Sequence, residues 1–493
     1  MRFLVLIFAA LLGSGWAHPA MANDQTLALV KELVEQVKAL NHRVDQANNR
    51  ITELEMQLQQ ARNAQSATGN SALASAEQSQ QKAPAVLSGS PQSSGKAEAK
   101  PAITVGDVKG TFKIPGTDTS IGIGGFVKTD FLFSSVSTGS NRYGDQSLVL
   151  SQIPVGGAPG EHSQMTMHAK ESRLWFKSFT PSQWGDINTL IEMDFFGDPA
   201  TYVYTPRLRH AYGSMGNFLA GQTWTTFLNA SALPEVLDIG GSAGAVTSLR
   251  QPLVRWSQPF KLADSELEWQ AAVEAPRTRI WDGYTVTKEP HDKAYNPNPN
   301  TDDYFSNPNA DRYPDLIARL NYNGDWGNLS LAALGRQVRY TNSKTGLEQG
   351  LWGGGVSLAG KITTVGLDNI RFMTHYGNGA GRYISTNNTF SDASLDIDGN
   401  MQLTTTYGGM FSYQHWWNNQ WRSTLTYGFS QAEQPDFVNT VLNHQVQSVH
   451  ANLLWNPINQ AMFGLEYIYA TRELIDGMNG DLQRLQLSAR YNF

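Results

Sequence analysis

From residue 102 to 493, apolar and polar side chains alternate with a period of two, the spacing of β-strands whose two faces meet different surroundings. The run from Ile121 to Phe133 is one such strand. In another, Ile187, Thr189, Ile191, Met193 and Phe195 alternate with Asn188, Leu190, Glu192 and Asp194. At the end of the chain Leu485, Leu487, Ala489, Tyr491 and Phe493 share one face, and Arg484, Gln486, Ser488, Arg490 and Asn492 share the other. Short turns fall near Gly185, Gly216, Asp264, Asn323–Asp325, Gly366, Asn418–Asn419 and Asn456–Pro457. Between them lie longer polar stretches near 135–165, 197–205, 227–250, 275–313, 339–350, 377–401, 430–443 and 471–482. Seven short turns and eight long loops make fifteen connections, hence about sixteen antiparallel strands. An even count with short links on one rim and long links on the other is the layout of a transmembrane β-barrel.

The stretch Pro206–Gly213, PRLRHAYG, shows what such a wall separates. Arg207 and Arg209 take one parity; Leu208, Tyr212 and, less comfortably, His210 take the other. A barrel in lipid turns its apolar face outward and encloses the polar one, so the arginines are expected in an aqueous lumen. Trp184, Trp326, Trp416, Trp417, Trp421 and Trp455 crowd the short-turn rim, as an aromatic girdle at a lipid–water boundary would. A soluble all-β protein with buried tryptophans is the alternative.

The N-terminal fifth reads differently. Residues 1–22 have the charged start, short apolar core and Ala20–Ala22 cleavage site of a secretory signal, which predicts a chain beginning at Asn23 beyond the inner membrane. Over residues 23–62, Val30, Leu33, Val37, Leu40, Val44, Ala47, Ile51, Leu54, Leu58 and Ala61 keep heptad spacing and predict an α-helical coiled coil, hence an oligomer. Residues 63–101, rich in Ser, Gln, Ala, Gly and Lys, read as a flexible linker. Composition narrows the function. A net charge of -6 over 493 residues points to neither a nucleic-acid binder nor an acidic tail. The chain has no cysteine, which excludes disulfides, thiolate metal sites and thiol catalysis. Its mean hydropathy of -0.36 is compatible with a barrel, which needs no long apolar run.

The run Gly110–Phe131, the segment Arg207–Phe227 and the N-terminal heptads resemble the DcaP-like outer-membrane porins, over nearly the whole chain after residue 22. The resemblance implies a homotrimer of sixteen-stranded barrels with a periplasmic coiled coil, and passage of small anionic solutes, dicarboxylates especially. The terminal Phe493 also resembles the assembly signal of bacterial outer-membrane barrels.

Inward parity collects Lys128, Arg173, Arg207, Arg209, Arg255, Arg319, Arg371 and Arg422. Arginine keeps its charge in any lumen and presents a fork that matches a carboxylate. The competing reading pairs Asp194 with Arg207 and Glu192 with Arg209 as braces across the wall. Arg255 has no acid on the preceding strand and is the better isolated candidate. By analogy with trimeric porins the third long loop, 227–250, is expected to enter the lumen and bring Glu235, Asp238 and Arg250 to a constriction. Gly240–Gly244 matches G-x-S-x-G but lacks the strand–turn–helix context of a nucleophile elbow. The histidines show no zinc spacing, the 275–313 loop no EF-hand spacing, and no cofactor is expected. Two other functions fit a barrel with a coil: a sugar porin, which needs an aromatic slide in the lumen, and a structural or adhesive protein bridging to peptidoglycan.

Overall fold

The computed structural model describes residues 104–493 apart from loop segments 138–145, 158–161, 199–200, 246–248, 263–264, 283–304, 307–310, 343–345, 385–388, 397 and 439–441. The expected signal, coiled coil and linker lie outside the described residues. Sixteen strands follow in chain order. They are β1 (Ser120–Ser134), β2 in two pieces (Gln164–His168 and Arg173–Thr180), β3 (Ile187–Asp194), β4 (Arg207–Met215) and β5 (Phe218–Trp224). Next come β6 (Arg250–Leu262), β7 (Ser265–Glu274), β8 (Asp315–Gly324), β9 (Gly327–Asn342), β10 (Leu347–Thr363) and β11 (Asn369–Asn378). The wall ends with β12 (Thr405–Trp416), β13 (Trp421–Glu433), β14 (Asn443–Ile458), β15 (Ala461–Leu474) and β16 (Asn479–Asn492). Each pairs antiparallel with its chain neighbours, and β16 closes on β1 with Arg484 opposite Ser134 and Asn492 opposite Phe126. Closure leaves no open edge in the hydrocarbon, where unpaired backbone groups cannot be solvated.

Exposure follows the alternation. Leu485, Leu487, Tyr491 and Phe493 face out while Arg484, Gln486 and Ser488 are buried. Of the rim tryptophans, Trp184 and Trp417 are exposed and Trp421 stacks on Trp455, as a girdle requires, but Trp416 pairs with Arg422 on the inward face and lies under its guanidinium at 5.0 Å. With short turns periplasmic and long loops outside, the wall is low at β5 (7 residues) and tall at β10 (17 residues). Two expected loops are largely strand, because β9 reaches Asn342 and β15 reaches Leu474. Where a hairpin rises beyond the lipid its outward face meets water, and the outward apolar row that marks a strand is lost. The turn expected at Asn456–Pro457 instead follows Ile458, which pairs with Ala461. A register irregularity between Trp455 and Ile458 absorbs Pro457, which has no N–H to give the ladder.

Two outer loops build a lid of their own. Ile280–Asp282 pairs with Phe305–Ser306 and, in parallel, with Ala393–Leu395, which pairs with Met401–Leu403. Ile280, Ala393, Leu395 and Met401 pack on Val338 and Tyr340 of β9. Beneath them the fully buried Arg336 meets Asp392 at 2.9 Å and Asp315 at 3.3 Å. It also donates to the carbonyls of Arg277 and Gly379. Buried charges of this kind persist only when paired and hydrogen-bonded.

Candidate permeation site

The third long loop leaves the wall after β5, and its described residues 225–245 fold along the inner surface of the barrel, as expected. Its first turn is tied to β7 and β8: the Thr226 amide donates to Glu274 at 2.6 Å, and Arg319 donates to the Thr226 and Leu228 carbonyls. Asn229 then donates to Asn328 and Ser330 of β9, and Arg371 of β11 donates to the Leu233 carbonyl at 2.7 Å. Further on, Arg422 of β13 grips Glu235 in two-pronged fashion at 2.8 and 2.5 Å. Asp238 binds Arg484 of β16 at 2.7 Å and accepts from the Leu148 and Gly240 amides. The returning arm is held by Ser448, which accepts the Ala243 amide, and by Ser430, which accepts that of Gly244.

These anchors set the charge state of the loop. Burial pushes the Asp238 carboxyl up, yet the Arg484 guanidinium and the Leu148 and Gly240 amides outweigh it and hold the group below the usual carboxylate range. Glu235 is likewise held low: burial opposes ionisation, and the hydrogen-bonded Arg422 overcomes it. Behind the loop, Glu466 accepts from the Leu237 amide at 2.8 Å and from His450, whose other ring nitrogen meets Ser448 at 3.1 Å. The histidine therefore bridges the two points that hold the outgoing and returning arms.

The anchors run from β7 round to β16 and β1, leaving β2 to β6 as the wall the loop does not line. On that side β4 contains a bulge: Glu192 pairs with His210 and Met193 with Leu208, so Arg209 is an extra residue. The bulge turns both Arg209 and His210 inward, where His210 meets Thr223 at 3.0 Å. It also reverses the parity beyond it. Tyr212, expected to face lipid, instead aligns with Leu190 and Gly221 on the lumenal face. Leu208 lies before the bulge and is exposed on the outside as expected.

Arg207 and Arg209 are wall braces as well as lumenal cations. Arg207 binds Asp194 through two bonds of 2.9 and 2.6 Å, and Arg209 reaches Glu192 at 2.7 Å and Asp194 at 3.0 Å. Arg173 lies 3.5 Å from Glu171 and 3.7 Å from Glu192, while Lys128 is tied to Glu171, Asp130 and the Leu237 carbonyl. Arg250, where the loop rejoins the wall, is different. It lies over the Trp224 ring at 4.4 Å, within electrostatic reach of Arg209, Arg207 and Arg173. Among the described residues neither Arg250 nor Arg255 has a carboxylate within 4.0 Å, and the Arg255 Nε atom has no hydrogen-bond partner. Arg319, Arg371 and Arg422 point inward as expected, but the loop occupies them.

Glu235 and Asp238 likewise serve as anchors rather than as open lining; Asp238 is 3% exposed. Sequence reading missed Arg484, Glu466 and Asn452, which donates to the Glu235 carbonyl at 2.7 Å, as loop holders, and His450 as their support. Their inward parity was visible, but the loop partners of Arg484, Glu466 and Asn452 are more than two hundred residues away and leave no local mark. Ser242 is fully buried in the inner loop, and no described residue is hydrogen-bonded to its hydroxyl. No group of three potential metal ligands exists among the described residues.

Comparison with known proteins agrees with this architecture. The DcaP outer membrane protein family profile matches residues 108–273 and 305–493. The outer membrane channel DcaP of Acinetobacter baumannii superposes with a TM-score of 0.63 at 22% identity, covering 78% of this chain and 99% of that one. An anion-selective porin from Comamonas acidovorans gives a TM-score of 0.47 at 11% identity, covering 76% and 100%. No curated protein matches in sequence. With a closed barrel, an inner loop and this match over most of its length, the chain belongs to the DcaP outer membrane protein family and is an outer-membrane porin, a non-catalytic transport protein.

Proposed function

We propose that the lumen passes small anionic solutes, dicarboxylates in particular, along the wall that the inner loop leaves uncovered. The observation that carries this reading is Arg250, the one member of the group Arg173, Arg207, Arg209 and Arg250 without a carboxylate within 4.0 Å. The acids Glu192 and Asp194 hold its three neighbours in place and offset part of their charge, so the uncompensated guanidinium stands at the inner loop's return. Arg255 supplies a second such group on the same strand. Cations fixed in a narrow pore draw carboxylates from water, and contacts that are few and solvent-shared let them leave again. The lumenal aromatic rings do not suit a sugar slide. Arg173 and Arg490 lie over Phe126, Lys177 over Trp175 and Arg250 over Trp224.

The test is current block in a planar bilayer. Succinate added to one side should interrupt chloride current through wild-type channels, with Arg250→Ala and Arg255→Ala each weakening the block about tenfold. Equal block in all three would remove these residues from the pathway. The resemblance to DcaP-like porins also supports a homotrimer whose coils, residues 23–62, stand in the periplasm within reach of peptidoglycan. The mass of the detergent-solubilised protein, with and without residues 23–62, tests that arrangement.

A further inference from the structure

The outer surface of the wall at β6 to β9 carries a hollow of about 600 Å³. Its floor is Ala271, Ala318 and Ala333, which lie side by side in register, with Gly335 above. Val254, Val273 and Leu316 stand proud as its sides, 52%, 48% and 53% exposed. A Cβ placed on Gly335 would meet no heavy atom within 4 Å, so the depression is open to the bilayer.

Directly above it the surface changes character. Trp352 and Tyr313 face outward with ring centroids 5.7 Å apart. Trp352 lies ten residues up β10 from Ile362, beside the turn that carries Trp326. At about 3.4 Å per residue and a tilt near 40°, that is roughly 26 Å, the height of the apolar band of an outer-membrane barrel. Trp352 and Tyr313 therefore mark the outer lipid boundary. Arg339, on the same face as Gly335 and two pairs above Trp352, lies across Gly350 and is 6% exposed; its Nε has no hydrogen-bond partner among the described residues. Arg312, 60% exposed, pairs with Glu348 at 2.8 Å, and Glu348 also contacts Arg339. Two guanidinium groups thus share one carboxylate at the headgroup level, leaving one positive charge and a buried, unfilled donor.

We propose that this face holds one phosphate-bearing lipid of the outer leaflet, with an acyl chain in the alanine-floored hollow and a phosphate at Arg312 and Arg339. A guanidinium pair matches a phosphate's oxygens, and the hollow gives a chain more contact than flat wall does. The vertical order of hollow, aromatic pair and cations matches the order of chain, boundary and headgroup in such a lipid.

The test uses the purified full-length protein in detergent, titrated with lipid A and with dephosphorylated lipid A and read by native mass spectrometry. Wild type should retain lipid A at least tenfold more than the dephosphorylated form. Arg312→Glu should abolish that preference, and Gly335→Leu, which fills the hollow, should lower retention of both. Single-channel conductance should stay unchanged in both variants, since neither residue faces the lumen. Equal retention of the two lipids by wild type would overturn the proposal. So would a cysteine cross-link from Ala318→Cys showing that a second copy of the chain covers the hollow.

Discussion

Replacing Asp238 by asparagine should loosen the inner loop without unfolding the barrel. The side chain keeps its shape but loses its charge, and the buried Arg484 guanidinium, 1% exposed, loses the carboxylate it meets at 2.7 Å. Breaking one partner of a buried ion pair costs about 3–5 kcal/mol. The wall ladders are untouched, so the penalty falls on the seated form of the loop. At about 1.4 kcal/mol per tenfold, the lower bound raises the detached population of the loop tip on the order of 100-fold. Single-channel recording should then show open-channel fluctuations and a higher mean conductance. Adding Arg484→Met should harm less than the two single changes summed, because both single changes break the same contact. Traces from Asp238→Asn as quiet as wild type would refute the anchoring argument. The pH dependence has a definite sign. Because the folded carboxyl lies below its unfolded value of about 3.9, its stabilisation is complete above that value and is lost as pH falls through the lower folded one. Wild-type channels should therefore stay quiet from pH 7 to about 5 and become noisy only below about 4.

Other consequences follow from the same contacts. Gly244 has φ +68° and packs against the Gly409 carbonyl with no room for a Cβ. Gly244→Ala should unseat the returning arm and raise conductance, and unchanged conductance would contradict the close packing. Arg336→Leu leaves Asp315 and Asp392 without their shared cation, at a cost of about 3–5 kcal/mol. It should lower the temperature at which the barrel loses its heat-resistant mobility on gels. Glu235→Gln frees Arg422 from its two-pronged partner and should strengthen anion bias, read as a shift in reversal potential toward the chloride limit.

Much of the wall was legible because lipid and water impose opposite demands on alternate side chains. Leu208 and Arg207 could be placed from parity alone, and so could the outward row from Leu485 to Phe493. The same rule failed after Arg209, because a bulge inserts a residue without altering composition; the discomfort of His210 on the lipid side was its only trace. The rule also fell silent in the tall hairpins of β9–β10 and β15–β16, where the outward face meets water rather than lipid. For the site, parity found the inward arginines and their acids but not which would be consumed. Arg422 and Arg319 are taken by residues of a loop far away in the chain, whereas Arg255 was legible as unpaired because its neighbours in the ladder are adjacent in sequence.

The reversal potential under a potassium chloride gradient addresses the central claim, that uncompensated guanidinium groups on the uncovered wall favour anions. Wild-type channels should reverse at a potential set mainly by chloride, and the Arg250→Ala/Arg255→Ala double variant should move markedly toward zero with its open conductance retained. A wild-type potential set by potassium, or a double variant that reverses where wild type does, would contradict the account.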